Sequence, residues 1–452
     1  MPQDPPATTP PPAAEGARAT PGGALVGVAV APGDKSISHR ALIIGALAEG
    51  ETLVRGLLEA DDVLRTAAAM RALGSEVSRE RVGEGFEWRV RGAPWSAPEA
   101  TLYFGNAGTG VRLVLGAVAG AGVGARFDGD ASLRARPMGR VAEPHGRMGA
   151  AIALDDGRLP ATVSPAALKG IDYELPTPSA QVKSALLLAG LGAKGETRVR
   201  EPVACRDHTE RMLAGLGVKL DVGEIDGVRT IRLAGGQRPR AGEVAVPGDP
   251  SSAALIVAAA VVSPGSDVLV RGVLANPLRT GFFETLREMG ADVSYVNERV
   301  VAGEPIADVR ARGREPGALN GVAVPASRDP SMIDEYPALA VVAACARGDT
   351  YAAGVQELRV KETDRIDAVV AFLAANGVKA DAGPDWLRVT GAGGPPPGGG
   401  RVETRLDHRI AMSCRGLGRG ARAPGEIDDA APIATSFPGF VATLRALGAR
   451  ID

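Results

Sequence analysis

Apolar and polar positions repeat one pattern along this chain. A short alternating strand runs into a turn rich in Gly, Pro, Ser or Asp, then an Ala/Leu-rich helix, a second strand, and a helix ending on Leu-Gly or Met-Gly. One copy starts at Gly27, passes through Pro32-Gly33-Asp34-Lys35-Ser36 and a helix predicted over 41–47, and ends at Leu73-Gly74. A close copy opens at Val244-Ala245-Val246-Pro247-Gly248-Asp249 and ends at Met289-Gly290. Weaker relatives open at Leu102, Tyr173, Val322 and Val402. These six starts, about 70 to 80 residues apart, exceed the usual solenoid period and suit two domains of three units each. Gly50, Gly195 and Gly348 stand where a left-handed residue would end the first helix of a unit. The paired Pro-Gly-Asp turns predict two equivalent crossovers between the domains.

Length and composition narrow the picture. At 452 residues the chain exceeds one ordinary core. Residues 1–23 are rich in Pro, Ala and Thr, which predicts disorder there and ordered structure from Leu25. They lack the apolar stretch of a signal peptide, and the longest apolar runs are near half a membrane span, so a cytoplasmic protein without membrane partners is expected. Formal net charge is −2 and aromatics are 4%, so neither a global basic field nor base-stacking platforms recruit nucleic acid. Any anion site must be built locally. Cys205, Cys345 and Cys414 are scattered, and His39, His145, His208 and His408 lack a second ligand at metal spacing, so no disulfide framework or metal is expected.

Local anion chemistry concentrates at the helix starts. Asp34 or Ser36 can cap the helix that carries Lys35 and Arg40, which puts two cations at the positive end of a macrodipole. Gly105-Asn106-Ala107-Gly108-Thr109-Gly110-Val111-Arg112 crowds small residues onto another strand-to-helix turn, without the Gly-Lys-Ser/Thr ending of a nucleotide-binding loop. Arg134, Arg136 and Arg140 follow, with planar forks suited to carboxylate or phosphate. Pro178-Ser179-Ala180-Gln181 opens a further helix, and Arg206-Asp207-His208-Thr209-Glu210 has the spacing of a capping box. In the second half, Asp334 precedes an apolar helix, and Lys361-Glu362-Thr363-Asp364-Arg365 follows the next strand. Carboxylates beside cations suit acid and base groups with tuned protonation. Lys361 and Arg365 stand at i and i+4, so a helix there would aim both cations at one anion. Arg409 marks another helix start. Each motif alone also fits a capped helix or a solvated loop.

Together, the runs DKSISHR, GNAGTG, RPMGR, SAQVKSA, IDEYP, LRVKETDR and LDHRIAMS, in this order, resemble the 3-phosphoshikimate 1-carboxyvinyltransferase (EPSP synthase) family, and within it the bacterial class tolerant of glyphosate. The resemblance implies an α/β fold, the two-domain inverse α/β barrel of enolpyruvyl transferases, with six βαβαββ-like units. Residues 34–248 would form an inserted domain, and 24–33 with 249–452 a discontinuous one, after the 1–23 tail. The implied reaction moves the enolpyruvyl group of phosphoenolpyruvate onto the 5-hydroxyl of shikimate 3-phosphate and releases phosphate, on the route to chorismate and aromatic amino acids. It needs no cofactor, and a monomer is implied. By matching motifs, Lys35, Ser36, Arg40, Ser179, Ala180, Gln181, Arg206, Asp334 and Lys361 would hold shikimate 3-phosphate. Lys35, Gly108, Arg136, Gln181, Arg365 and Arg409 would line the phosphoenolpyruvate side. Asp334 is implied as base on the 5-hydroxyl, Glu362 as acid at the methylene carbon, and Lys35 as the cation facing both substrates. Two positions depart from the family. Thr435-Ser436-Phe437-Pro438 lacks the Lys that many members carry before Phe-Pro, and Gly108 stands where tolerant members often have Ala. Two other readings are weaker. A transferase acting on UDP-N-acetylglucosamine usually carries a reactive Cys in the Arg-rich loop, and 134–140 has none. A non-catalytic anion binder would have no use for Asp334 and Glu362.

Overall fold

The structure, a computed structural model, describes residues 18–83 and 85–451. Residues 1–17, most of the segment expected to be disordered, lie outside the described residues. Five four-stranded sheets and one three-stranded sheet form among the described residues. In one unit, Asp172–Glu174 runs parallel to Glu196–Glu201, with the helix Ala180–Gly192 crossing between them. The helix His208–Gly215 then leads to the hairpin Leu220–Ile225 and Val228–Ala234, whose second strand pairs antiparallel with Glu196–Glu201. The order follows from chain physics, because parallel neighbours need a long crossover and hairpin strands do not.

The first helix of most units is apolar along most of its length, which drives it inside; His408–Gly420 is buried as well although it carries Arg409, Arg415 and Arg419. All residues of Pro250–Val261 and of Tyr336–Cys345 are buried. Small residues let such helices touch: a Cβ on Gly116 would lie 2.4 Å from the Ala185 carbonyl oxygen, and one on Gly192 would lie 1.9 Å from that of Gly120. Gly50, Gly195 and Gly348 do have positive φ, but each lies beyond a helix whose cap residue is extended, Gly50 and Gly195 in the turn and Gly348 already in the strand Arg347–Ala353, so they do not end the helix. Buried apolar side chains fall into two clusters. One runs from Ile37 to Val246 with Leu274, and the other takes 19–31 and 253–451.

Two strands are exchanged between these clusters. Val26–Val30, which precedes the helix Lys35–Leu47, pairs parallel with Asp267–Leu274. Glu243–Ala245, which precedes Pro250–Val261, pairs parallel with Glu51–Arg55. The Pro-Gly-Asp turns therefore cross side by side: the Asp34 N–H donates to the Pro247 carbonyl (2.7 Å) and the Asp249 N–H to that of Pro32 (2.8 Å). Gly33 is required there, since a Cβ would lie 1.9 Å from the Gly56 carbonyl oxygen. Asp34 and Asp249 each cap the helix that follows, and the buried Arg279 donates to both, at 2.8 and 3.2 Å.

Ordered structure starts before Leu25. Arg18–Ala19 pairs antiparallel with Gly425–Ile427, and Ala19 bridges to Ile451. These segments stand where the other units place their hairpin, so the sixth sheet is closed by residues from far along the chain. Ala19 is fully buried, which corrects the expectation of disorder for that residue. Two backbone-paired residues carry no periodicity that a sequence window could detect.

Candidate active site

All six inward helices point their N-terminal ends at one cleft of about 1140 Å³, including space open to solvent. Lys35 and Ser36, Gly108 and Thr109, Ala180 and Gln181, Ser251, Asp334 and Arg409 come from these six starts and line it. Helix N-termini carry unpaired N–H groups and partial positive charge, so their convergence favours an anion. Eight lysine and arginine side chains line the cleft against six carboxylates. Burial pushes Arg112 down to about 9, and the neighbouring Arg136 and Arg140 add to the fall.

Two carboxylates share one buried arginine. Asp334 accepts from Arg206 (2.6 Å) and Arg365 (3.1 Å), with Lys361 at 3.6 Å and Arg409 at 4.0 Å. Burial would raise its carboxyl, but Lys361, Arg206, Arg409 and Arg365 together hold it well below the usual range. Glu362 accepts from Arg365 at 2.5 Å and lies 3.8 Å from Arg136. Burial again opposes ionisation, and Arg365 and Arg136 override it. Asp407 completes the shell of Arg365 at 2.8 Å. Both carboxylates are thus ionised at neutral pH and held in place.

Most residues singled out in the sequence meet at this cleft. Lys35 pairs with Asp62 at 3.0 Å. Gln181 accepts from Arg112 (2.7 Å) and donates to Thr109 (2.9 Å), while Arg136 bonds Asn106. Ser179 caps its helix through the Val182 N–H as well as lining the cleft. Two residues stand behind the lining. Arg40 is 2% exposed and donates to Thr209, Ser184 and the Ser36 carbonyl, so it braces Ser36 from within the fold. Arg365 is likewise buried and reaches the cleft through Asp334 and Glu362.

Three local readings are corrected. Lys361 is not helical: it follows the 3-10 turn Gln356–Val360 in extended conformation, and the next helix begins at Arg365. Lys361 and Arg365 still converge, because both reach Asp334. Asp207 and Glu210 form no capping box, since Asp207 makes no side-chain cap bond and Glu210 pairs with the buried Lys183 at 2.7 Å. Asp207, His208 and Glu304, distant in sequence, bring three metal-capable atoms within 4.8 Å of one another. Arg211 and Asn276 already engage these two carboxylates, and none of the three residues lines the cleft. Cys205 does touch the cleft, yet it donates to Glu201 (2.8 Å) and burial pushes its thiol upward, so it is no ready nucleophile.

Sequence reasoning missed Asp62, Arg279 and Asp329 in the lining. None sits in a motif or at a marked helix start, and only folding brings them in. It also did not see that Arg140 and Glu357 would pair at 2.9 Å, or that Ser132 would donate to the Glu362 carbonyl at 3.2 Å, across the two halves of the cleft.

Comparison with known proteins agrees with this geometry. A family profile described as EPSP synthase (3-phosphoshikimate 1-carboxyvinyltransferase) matches residues 19–444. A protein of Phenylobacterium zucineum named 3-phosphoshikimate 1-carboxyvinyltransferase is 56% identical over 431 residues, covering 95% of this chain and 94% of its own. One of the same name from Caulobacter vibrioides is 53% identical over 442 residues, covering 96% and 98%. Among solved structures, EPSP synthase from Acinetobacter baumannii superposes with a TM-score of 0.82 at 42% identity, over 97% of this chain and 99% of that one. The enolpyruvyl transferase NikO from Streptomyces tendae shares the fold, with a TM-score of 0.74 at 20% identity over 97% and 98%. A profile that spans nearly the whole chain, with close relatives of matching length, leaves one assignment: the chain belongs to the EPSP synthase (3-phosphoshikimate 1-carboxyvinyltransferase) family.

Proposed function

We propose that this protein transfers the enolpyruvyl group of phosphoenolpyruvate to the 5-hydroxyl of shikimate 3-phosphate and releases phosphate. The observation that carries this reading is the convergence of six helix N-termini on one cleft in which two ionised carboxylates share Arg365. Two anionic substrates suit such a cleft, and the paired carboxylates supply proton transfer. Asp334 takes the proton of the 5-hydroxyl as its oxygen bonds to C2 of phosphoenolpyruvate, and Glu362 delivers a proton to C3. The tetrahedral intermediate then loses phosphate and a C3 proton, which restores the double bond. Arg206, Lys361, Ser179, Ala180 and Ser36 hold shikimate 3-phosphate, with Arg40 acting through Ser36. Arg136, Arg409, Gln181 and Gly108 hold phosphoenolpyruvate, Arg365 acts through the carboxylates, and Lys35 faces both substrates. Phosphate release from phosphoenolpyruvate with shikimate 3-phosphate, but not with UDP-N-acetylglucosamine, is the expected result. The reverse preference would overturn the reading.

Residues 34–248, and 24–33 with 249–452, act as two bodies that close on shikimate 3-phosphate, a reading supported by ligand groups from both sides and by the two narrow crossovers. A smaller radius of gyration in X-ray scattering with shikimate 3-phosphate is expected. An unchanged radius counts against closure.

We further propose kinship with the glyphosate-tolerant class, a reading supported by the motifs of the sequence, with one difference at the phosphoenolpyruvate side. A Cβ on Gly108 would lie 2.7 Å from Arg136 Nη1 and 3.3 Å from Arg112 Nη1. Gly108→Ala therefore displaces a guanidinium and narrows the subsite, and it is expected to raise the glyphosate inhibition constant at least about tenfold. Equal constants for the two proteins would sink this reading.

A further inference from the structure

Asp329 is the one carboxylate lining the cleft that has no ion pair among the described residues. The others are taken: Asp62 by Lys35, Asp249 by Arg279, Asp334 by Arg206, Glu357 by Arg140 and Glu362 by Arg365. Asp329 lies in the turn Ala326–Ser331, is 6% exposed, and its Oδ1 is buried without a hydrogen-bond partner. A carboxylate without an ion pair, lining a cleft that gathers anions, repels them unless it takes up a proton. Its surroundings belong to the acceptor side of the cleft. Lys361, Glu357 and Asp334 act on it from the second half of the chain, and Arg206 from the first. The buried Tyr336 hydroxyl stands within hydrogen-bonding reach of it from the helix behind and supplies no charge, and its neighbour Arg328 is committed to Glu288 at 2.6 Å.

We infer that Asp329 ties binding of the phosphorylated acceptor to proton uptake: neutral, its carboxyl donates a hydrogen bond to the bound anion, and ionised, it opposes that anion. The inference rests on the assignment of Arg206 and Lys361 to shikimate 3-phosphate. Burial pushes the Asp329 carboxyl up to about 7, with Glu357 and Asp334 adding to the rise and Lys361 and Arg206 opposing it. Around neutral pH both forms are therefore populated in the free protein. A dianionic ligand beside it favours the neutral form, so acceptor affinity falls as pH rises through that range.

Dissociation constants for shikimate 3-phosphate are measured from about pH 6.5 to 8.5, above the second ionisation of the ligand's phosphate near 6. In the wild type the constant is expected to rise by up to about tenfold per pH unit on the alkaline side. Asp329→Asn, neutral throughout, keeps the low-pH affinity within a few-fold and loses the slope. An equal slope in both proteins overturns the inference. Calorimetry of the wild type at pH 7.5, in two buffers of different ionisation enthalpy, reads proton uptake without any variant. Uptake of most of a proton is expected, and none overturns the inference while leaving the function intact. Failure of shikimate 3-phosphate to bind even at pH 6.5 would instead bring down the functional reading, and this inference with it.

Discussion

Asp334→Ala is expected to lower turnover by about 100-fold or more while shikimate 3-phosphate still binds. The carboxylate sits among Arg206, Lys361, Arg365 and Arg409, which keep it ionised and therefore able to take a proton at neutral pH. Its removal deletes the base but frees those cations, and freed cations attract the acceptor's negative charge rather than repel it. Arg365 keeps Glu362 and Asp407, so it is not left as an unpaired buried charge. The loss is thus expected in kcat, with the acceptor's dissociation constant unchanged or lower. Near-normal turnover would remove Asp334 from the chemistry.

Glu362→Gln is expected to cost a similar factor, about 100-fold or more, for a different reason. In the ligand-free protein Arg365 and Arg136 hold Glu362 well below the usual carboxylate range against the opposing effect of burial, so it starts as an anion and cannot donate a proton. Phosphoenolpyruvate changes that balance. Its phosphate and carboxylate compete for the same guanidinium groups, which weakens their hold on Glu362 and raises its proton affinity. The acid is therefore armed by the substrate that it protonates. The sign follows: turnover needs the protonated form in the complex, so it declines as pH rises through the complex's value. Gln keeps the shape and an oxygen toward Arg365 but moves no proton. In heavy water, the wild type is expected to place deuterium at C3 of recovered phosphoenolpyruvate, and Glu362→Gln to place almost none. Equal deuterium in both proteins would assign the acid elsewhere.

Much of this site was legible before the fold. Lys35, Gly108, Gln181, Arg206, Asp334, Glu362 and Arg409 all sit at helix starts or in dense polar runs, where local sequence marks an N-terminus or a cluster of charge. The six starts themselves were visible because each requires a strand, a tight turn and an apolar helix in that order. What stayed hidden depends on distance along the chain. Arg40 carries the same charge as Lys35, and only packing against Thr209 and Ser184 turns it away from the cleft. Arg279 and Asp329 lie outside every motif, and Arg18–Ala19 offers two residues whose partner strand is about 400 positions away. The geometry of Lys361 was misread because an i, i+4 spacing says nothing unless a helix is present, and here the helix begins four residues later.

The exchanged strands set an order of assembly on the ribosome. Glu243–Ala245 closes the sheet of Glu51–Arg55, so the part from Asp34 to Ala245 has every strand of its own sheets once residue 245 has emerged. Val26–Val30 has no such option: its partner Asp267–Leu274 is made later, and the partner of Arg18–Ala19 later still, near residue 425. The first strands synthesised are among the last to pair. Until then they are open edges on a nascent chain whose middle can already be folded, and an open edge is where unwanted strand pairing begins. Charged residues do not line Val26–Val30, three of whose valines remain exposed even in the finished fold, so that early edge is the part of the chain with most to gain from a chaperone's cover.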